Sequence, residues 1–124
     1  MTQRRARLGR IGERMATRHL QDAGLEVLDR NWRCPDDEVR GEIDLVARDG
    51  ETLVVCEVKT RRRGDDGEPL VAVDARKARR LRRLAAAWLA QDDRSWPGVR
   101  IDAIAVSWPA SGGSARVVHV RGVA

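Results

Sequence analysis

The stretch Gly41–Lys59 constrains this chain more than any other. Two runs rich in β-branched and apolar residues flank Asp49-Gly50, the strongest short-range signal for a two-residue hairpin turn. With that turn, Arg48 faces Glu51, Val46 faces Leu53, Asp44 faces Val55 and Glu42 faces Glu57. Strand side chains alternate between faces, and opposed residues share one. Glu42, Asp44, Glu57 and Lys59 therefore project from one side, with Asp44 and Glu57 diagonal neighbours roughly 7–8 Å apart at the backbone. The other side carries Ile43, Leu45, Val54, Cys56 and Val58, apolar throughout.

A water-facing strand also carries Glu and Lys, so charge alone does not make a site. Two features favour one. Val46, Leu53 and Val55 share the charged face, which makes that face partly buried, and buried carboxylates need a partner such as a metal ion. The chain has 24 Lys+Arg, and only Lys59 and Lys77 are lysines. Lysine is a compact, titratable ammonium where arginine is a permanently charged fork. One of these two lysines lies two residues from Glu57 on the same face.

Asp44 followed by Glu57-Val58-Lys59 resembles the D…(D/E)-x-K signature of restriction-endonuclease-like nucleases. The loose signature recurs by chance. The longer text, Gly41-Glu42-Ile43-Asp44-Leu45 with Val55-Cys56-Glu57-Val58-Lys59-Thr60-Arg61, is more specific. It resembles the YraN-type family of small bacterial proteins, which is similar to archaeal Holliday junction resolvases. The resemblance runs from the first helix to the strand around Asp102. It implies an αβββαβ core and a metal-dependent nuclease. It also implies roles for Glu13 beside the acids, within Gly9-Arg10-Ile11-Gly12-Glu13, and for the Val58 carbonyl as a metal ligand. From the residues alone, Glu13 reads more readily as a solvated helix glutamate, and only the resemblance makes it a site candidate.

At 124 residues the chain suits a single domain, 1–124, with residues 1–6 expected as a loose basic tail. Net charge is +5 and the positive charge is almost all guanidinium, which suits bidentate phosphate contacts. A nucleic acid is the first partner expected, and an acidic protein surface the second. Cys34 and Cys56 give no disulfide framework, and with His19 and His119 they show no familiar zinc spacing. No apolar signal-peptide core or membrane span is visible, so a cytoplasmic setting is expected.

Leu8, Ile11, Met15 and Leu20 mark a helix over about 7–23, stopped by Gly24. Gly9, Gly12 and Ala16 would let it approach a sheet closely. Leu25–Trp32 reads as a strand, with Trp32 either a core anchor or a base-stacking platform. Arg61, Arg62 and Arg63 open a charged, glycine-rich loop after Lys59, placed to meet phosphates or simply solvated. Asp74 is a good N-cap for a second helix reaching about Ala90, buried through Leu81, Leu84, Ala85 and Trp88. That stripe extends back to Lys77, at the end where the site would be. Arg76, Arg79, Arg80, Arg82 and Arg83 cover the other side without balancing acids, and phosphate contact is the reading they favour, with Lys77 added. Val99–Trp108 and Ala115–Arg121 follow as strands, the first carrying Asp102 in a structural role. The order predicts an α/β fold, a mixed central sheet flanked by helices, with the second helix crossing to a parallel strand.

The chemistry expected is hydrolysis of DNA phosphodiesters at a Mg²⁺ or Mn²⁺ ion held by Asp44 and Glu57. Lys59 would orient water or neutralise the phosphate, Glu13 would assist, and Glu42 would support the ligands from behind. A non-catalytic nucleic-acid-binding module on the same scaffold is the competing class. A glycosidase finds no aromatic platform, since there are four Trp and no Tyr or Phe. Junction cleavage by analogy with resolvases would require a homodimer.

Overall fold

The computed structural model describes residues 3–35, 38–61, 73–109 and 112–123, with side chains from residue 7 onward. In chain order these form α1 (Gln3–Asp22), β1 (Glu26–Arg33), β2 (Glu42–Asp49), β3 (Thr52–Arg61), α2 (Ala75–Ala90), β4 (Gly98–Ser107) and β5 (Arg116–Val120). Helix α1 begins at Gln3, so residues 3–6 are helical rather than a loose tail. Gln, Arg and Ala are strong helix formers and carry the helix past the last apolar marker. At its other end Gly24 adopts φ +91°. The Leu25 and Gly24 amides donate back to the Leu20 and Gln21 carbonyls at 2.9 and 3.0 Å. This is a Schellman stop, which needs a residue free to take positive φ. Helix α2 is capped by Asp74, whose carboxylate accepts from the Lys77 amide at 2.8 Å.

The strands lie in the order β1-β2-β3-β4-β5. Neighbours are antiparallel except β3 and β4, which α2 joins in parallel. The result is an α/β fold, a five-stranded mixed sheet with two helices, consistent with a restriction-endonuclease-like core.

The β2–β3 turn differs from expectation. Asp49 pairs with Thr52, so Gly50 and Glu51 form the loop. Gly50 has φ +60°, whereas among described non-glycine residues only Asn31 has positive φ. A glycine at the first central position alone is the type II′ pattern, and Asp-Gly had suggested glycine at the second. The register slides by two residues, and since the side-chain period is two, the paired residues 45–49 and 52–56 keep their faces. Ile43, expected beside Leu45, instead packs with Val46 in the α2-side core, because the alternation breaks at Asp44 where the pairing ends.

Alternate residues of β2 and β3 feed two cores. Leu45, Ala47, Val54 and Cys56 pack with Ala16 and Leu20 of α1 and with Ile104 and Val106 of β4. Val46, Leu53 and Val55 pack with Leu81, Leu84, Ala85 and Trp88 of α2. The helices therefore cover opposite faces of the sheet. Trp32 packs against the α2-side core, as an anchor does.

Candidate active site

The paired register of β2 and β3 stops at Leu45 and Cys56, although β2 begins at Glu42 and β3 continues to Arg61. Continuing it one step sets Asp44 directly opposite Glu57 rather than diagonal to it. The strands part there. The Val58 N–H donates to the Asp44 carboxylate Oδ2 at 2.8 Å, replacing a ladder bond with a side-chain acceptor. Burial pushes the Asp44 carboxyl up to about 7, and the neighbouring Glu57 charge adds to this. Glu13 and Glu42 push the same way, and the Val58 N–H opposes them.

Glu57 sits under α2. Its Oε1 lies 2.6 Å from Lys77 Nζ, with the two side chains 12% and 35% exposed. The sheet-facing placement expected for Lys77 is what the helix delivers, and its ammonium reaches the Glu57 carboxylate. Lys59 lies partly buried two residues beyond Glu57 on β3. Arg61 ends that strand, partly buried, and Arg62 and Arg63 lie outside the described residues.

Helix α1 supplies Glu13 from the other face. It lies close because Gly12 is buried against Thr60 of β3, and a Cβ there would overlap the threonine side chain. Glu13 Oε2 accepts from Asn31 Nδ2 at 2.6 Å, and the same nitrogen is 3.2 Å from Glu42 Oε1. Glu42 Oε2 is also 3.3 Å from Arg33 Nε. Asn31 thus ties the two outer glutamates together. Sequence reasoning missed it; the available signal was an asparagine able to hold φ +48° at a strand end.

Arg76, Arg79, Arg80 and Arg83 are exposed along α2 and, with residues 38–40, line a groove of about 690 Å³. The Arg80 stem crosses Gly41, where a Cβ would come within 3.1 Å of its Cδ and where φ is +100°. Glycine at 41 lets the arginine row approach the start of β2.

Among the described residues no three His, Cys, Asp or Glu side chains converge as a ligand set. A Mg²⁺ site, which keeps several waters, needs only one or two carboxylates. The mutual repulsion of Asp44 and Glu57 marks an excess of negative charge of the kind a divalent ion relieves.

Asp102 is fully buried and structural. It accepts from Arg100 Nε at 3.0 Å, pairs with His119 Nε2 at 2.7 Å and accepts from the Gly122 amide at 3.0 Å. His119 Nδ1 in turn lies 3.2 Å from His19 Nε2 on α1. Cys34 and Cys56 are both buried, Cys56 on the apolar α1 side as expected. Among the described residues, no helix is long and apolar enough to cross a membrane.

Fold and acidic strand pair together place the chain among α/β proteins consistent with a restriction-endonuclease-like core. Residues 12–106 match the family described as "Uncharacterised protein family UPF0102", and the chain belongs to this family, the YraN family. It is 57% identical to a UPF0102 protein of Beutenbergia cavernae over 116 residues, covering 94% of each chain. It is 53% identical to one of Streptomyces coelicolor over 121 residues, covering 97% of this chain and 90% of the relative. A Frankia casuarinae relative is 53% identical over 115 residues, covering 93% of each.

Proposed function

We propose that the protein is a metal-dependent endonuclease acting on DNA phosphodiesters. The observation that carries the reading is the placing of partly buried Asp44 next to Glu57 where the hairpin opens, with Lys77 against Glu57 and Lys59 two residues beyond it on the same strand. Asp44 and Glu57 would hold Mg²⁺ or Mn²⁺, each through the oxygen not committed to Val58 N–H or Lys77, with the Val58 carbonyl as a third donor. When bound, such an ion supplies Lewis acidity at the phosphate and lowers the pKa of water.

The remaining work falls to the chain. Lys59 places a positive charge at the phosphate and can hold the attacking water by hydrogen bonds. Lys77 keeps Glu57 oriented. Glu13, held by Asn31, stands ready to accept a proton. The α2 arginines bind phosphates away from the scissile bond.

The second reading is a module that binds nucleic acid without turnover. One observation favours it: an ammonium already pairs with a Glu57 oxygen. A cleavage assay on single-stranded, duplex, flap and four-way junction DNA separates the two. Each DNA is incubated with Mg²⁺, Mn²⁺ or EDTA beside Glu57→Ala. Metal-dependent cutting that the substitution removes supports the nuclease; binding across the panel without cutting supports the module. Junction cleavage would additionally call for two copies, read from the mass of the complex in solution.

A further inference from the structure

A second groove, about 270 Å³, lies on the opposite face of the sheet between α1 and β1. Arg10, Arg14 and Arg30 line it with Thr17, and Glu13 and Asn31 form its wall toward the carboxylates. The three arginines are exposed. Arg10 and Arg14 stand four apart on α1, so they share a face. Arg33, Arg94, Arg100 and Arg121 pair with acids, and none of these four lines either groove. Exposed guanidinium groups are thus gathered at two places, one beside each helix, outnumbering the single acid, Glu38 or Glu13, that lines each groove.

The two grooves are linked through the candidate active site. Glu13 belongs to the second groove and acts on Asp44. Gly41 lies under Arg80 of the first groove and directly precedes Glu42, which shares Asn31 with Glu13. Helices packed on opposite faces of one sheet stand roughly 20 Å apart, twice a normal packing distance. A strand in B-form geometry advances about 3.4 Å of axis per phosphate, so roughly six phosphates would cover that span, and fewer in an extended single strand.

We infer that Arg10, Arg14 and Arg30 form a second phosphate-binding groove, so that one DNA strand is gripped on both sides of the Asp44–Glu57 pair. This rests on the nuclease reading and adds to it that the substrate carries phosphates on both sides of the scissile bond. A terminal nucleotide would leave one groove empty.

The test measures fluorescence-anisotropy binding of labelled single strands of 4, 8 and 12 nucleotides (roughly below, just above and about twice the six-phosphate span) in Mg²⁺. All proteins carry Glu57→Gln, which keeps the DNA whole. To this are added Arg10→Gln/Arg14→Gln/Arg30→Gln in one protein and Arg79→Gln/Arg83→Gln in another. Expected is a salt-dependence slope lowered by roughly 0.7 per lost contact in both. The affinity gained on lengthening the strand should shrink in each. Full retention of slope and length dependence in the triple variant, with loss in the α2 variant, overturns the second groove and leaves the nuclease reading standing. Absence of DNA binding by the Glu57→Gln parent overturns both.

Discussion

The Val58 amide donates to the Asp44 carboxylate at 2.8 Å, at the point where β2 and β3 cease to pair. The backbone donor that would have continued the ladder holds an acid instead, and the acid is thereby fixed next to Glu57. Position and chemistry come from the same departure of one strand from another.

This carboxyl carries a pH signature. Its pKa, raised from 3.8 to about 7, means that the folded state binds the proton more tightly than the unfolded state does. The contribution of this carboxyl to metal-free stability is therefore full below about pH 4 and is lost as pH rises through 7. The displacement corresponds to roughly 4 kcal/mol at its upper bound. Asp44→Asn should stabilise the metal-free protein at pH 8 far more than at pH 5, as read from urea unfolding. Equal effects at both pH values would contradict a raised pKa.

The same proton competes with a divalent ion. Mg²⁺ affinity, measured by calorimetry, should rise with pH up to about 7 and level off above. Asp44→Asn should weaken binding and flatten that profile.

Lys77 is the cation facing Glu57. Lys77→Met should cost about 1–2 kcal/mol without metal, because a mostly buried carboxylate loses its partner while the lysine itself is partly exposed. Added Mg²⁺ should restore most of that loss in thermal melts. A melt unchanged by the substitution in EDTA would show that the pair contributes little.

For activity, Glu57→Gln and Lys59→Met should each lower cleavage at least about a hundredfold with melting temperatures near that of the parent. Full cutting by both variants removes the nuclease proposal.

Gly12→Ala places a methyl group onto Thr60 and should destabilise by about 1–3 kcal/mol. Thr60→Ala in the same protein should recover much of the loss, a coupling that a double-mutant cycle measures.

The hairpin, both cores and the parallel crossover were legible because they rest on periodicity. The misplaced turn cost nothing in face assignment for the paired residues, since moving it by one position shifts the register by two in a period of two. Ile43, beyond the paired register, lies on the face opposite to that expected. Lys77 was legible as one turn of a buried stripe, although its pairing with Glu57 was not. Asn31 was hidden because its role depends on a left-handed backbone and on two glutamates from separate elements. The Arg10, Arg14 and Arg30 groove was hidden for a similar reason: only the packing of α1 along β1 brings a strand residue to a helical pair. The Asp102–His119–His19 chain joins residues 17 and 100 positions apart, and no local pattern announces such a link.

The sheet follows chain order from β1 to β5, and its only parallel pair is bridged by α2. Most strand neighbours can meet by closing a short antiparallel connection, while β3 and β4 must wait for a crossover whose loop-closure entropy comes first. Glu57 belongs to the strand before that crossover and Lys77 to the helix within it. The slowest step in building the sheet is therefore also the step that delivers the counter-charge, and the two acids of the hairpin stand together before their ammonium arrives.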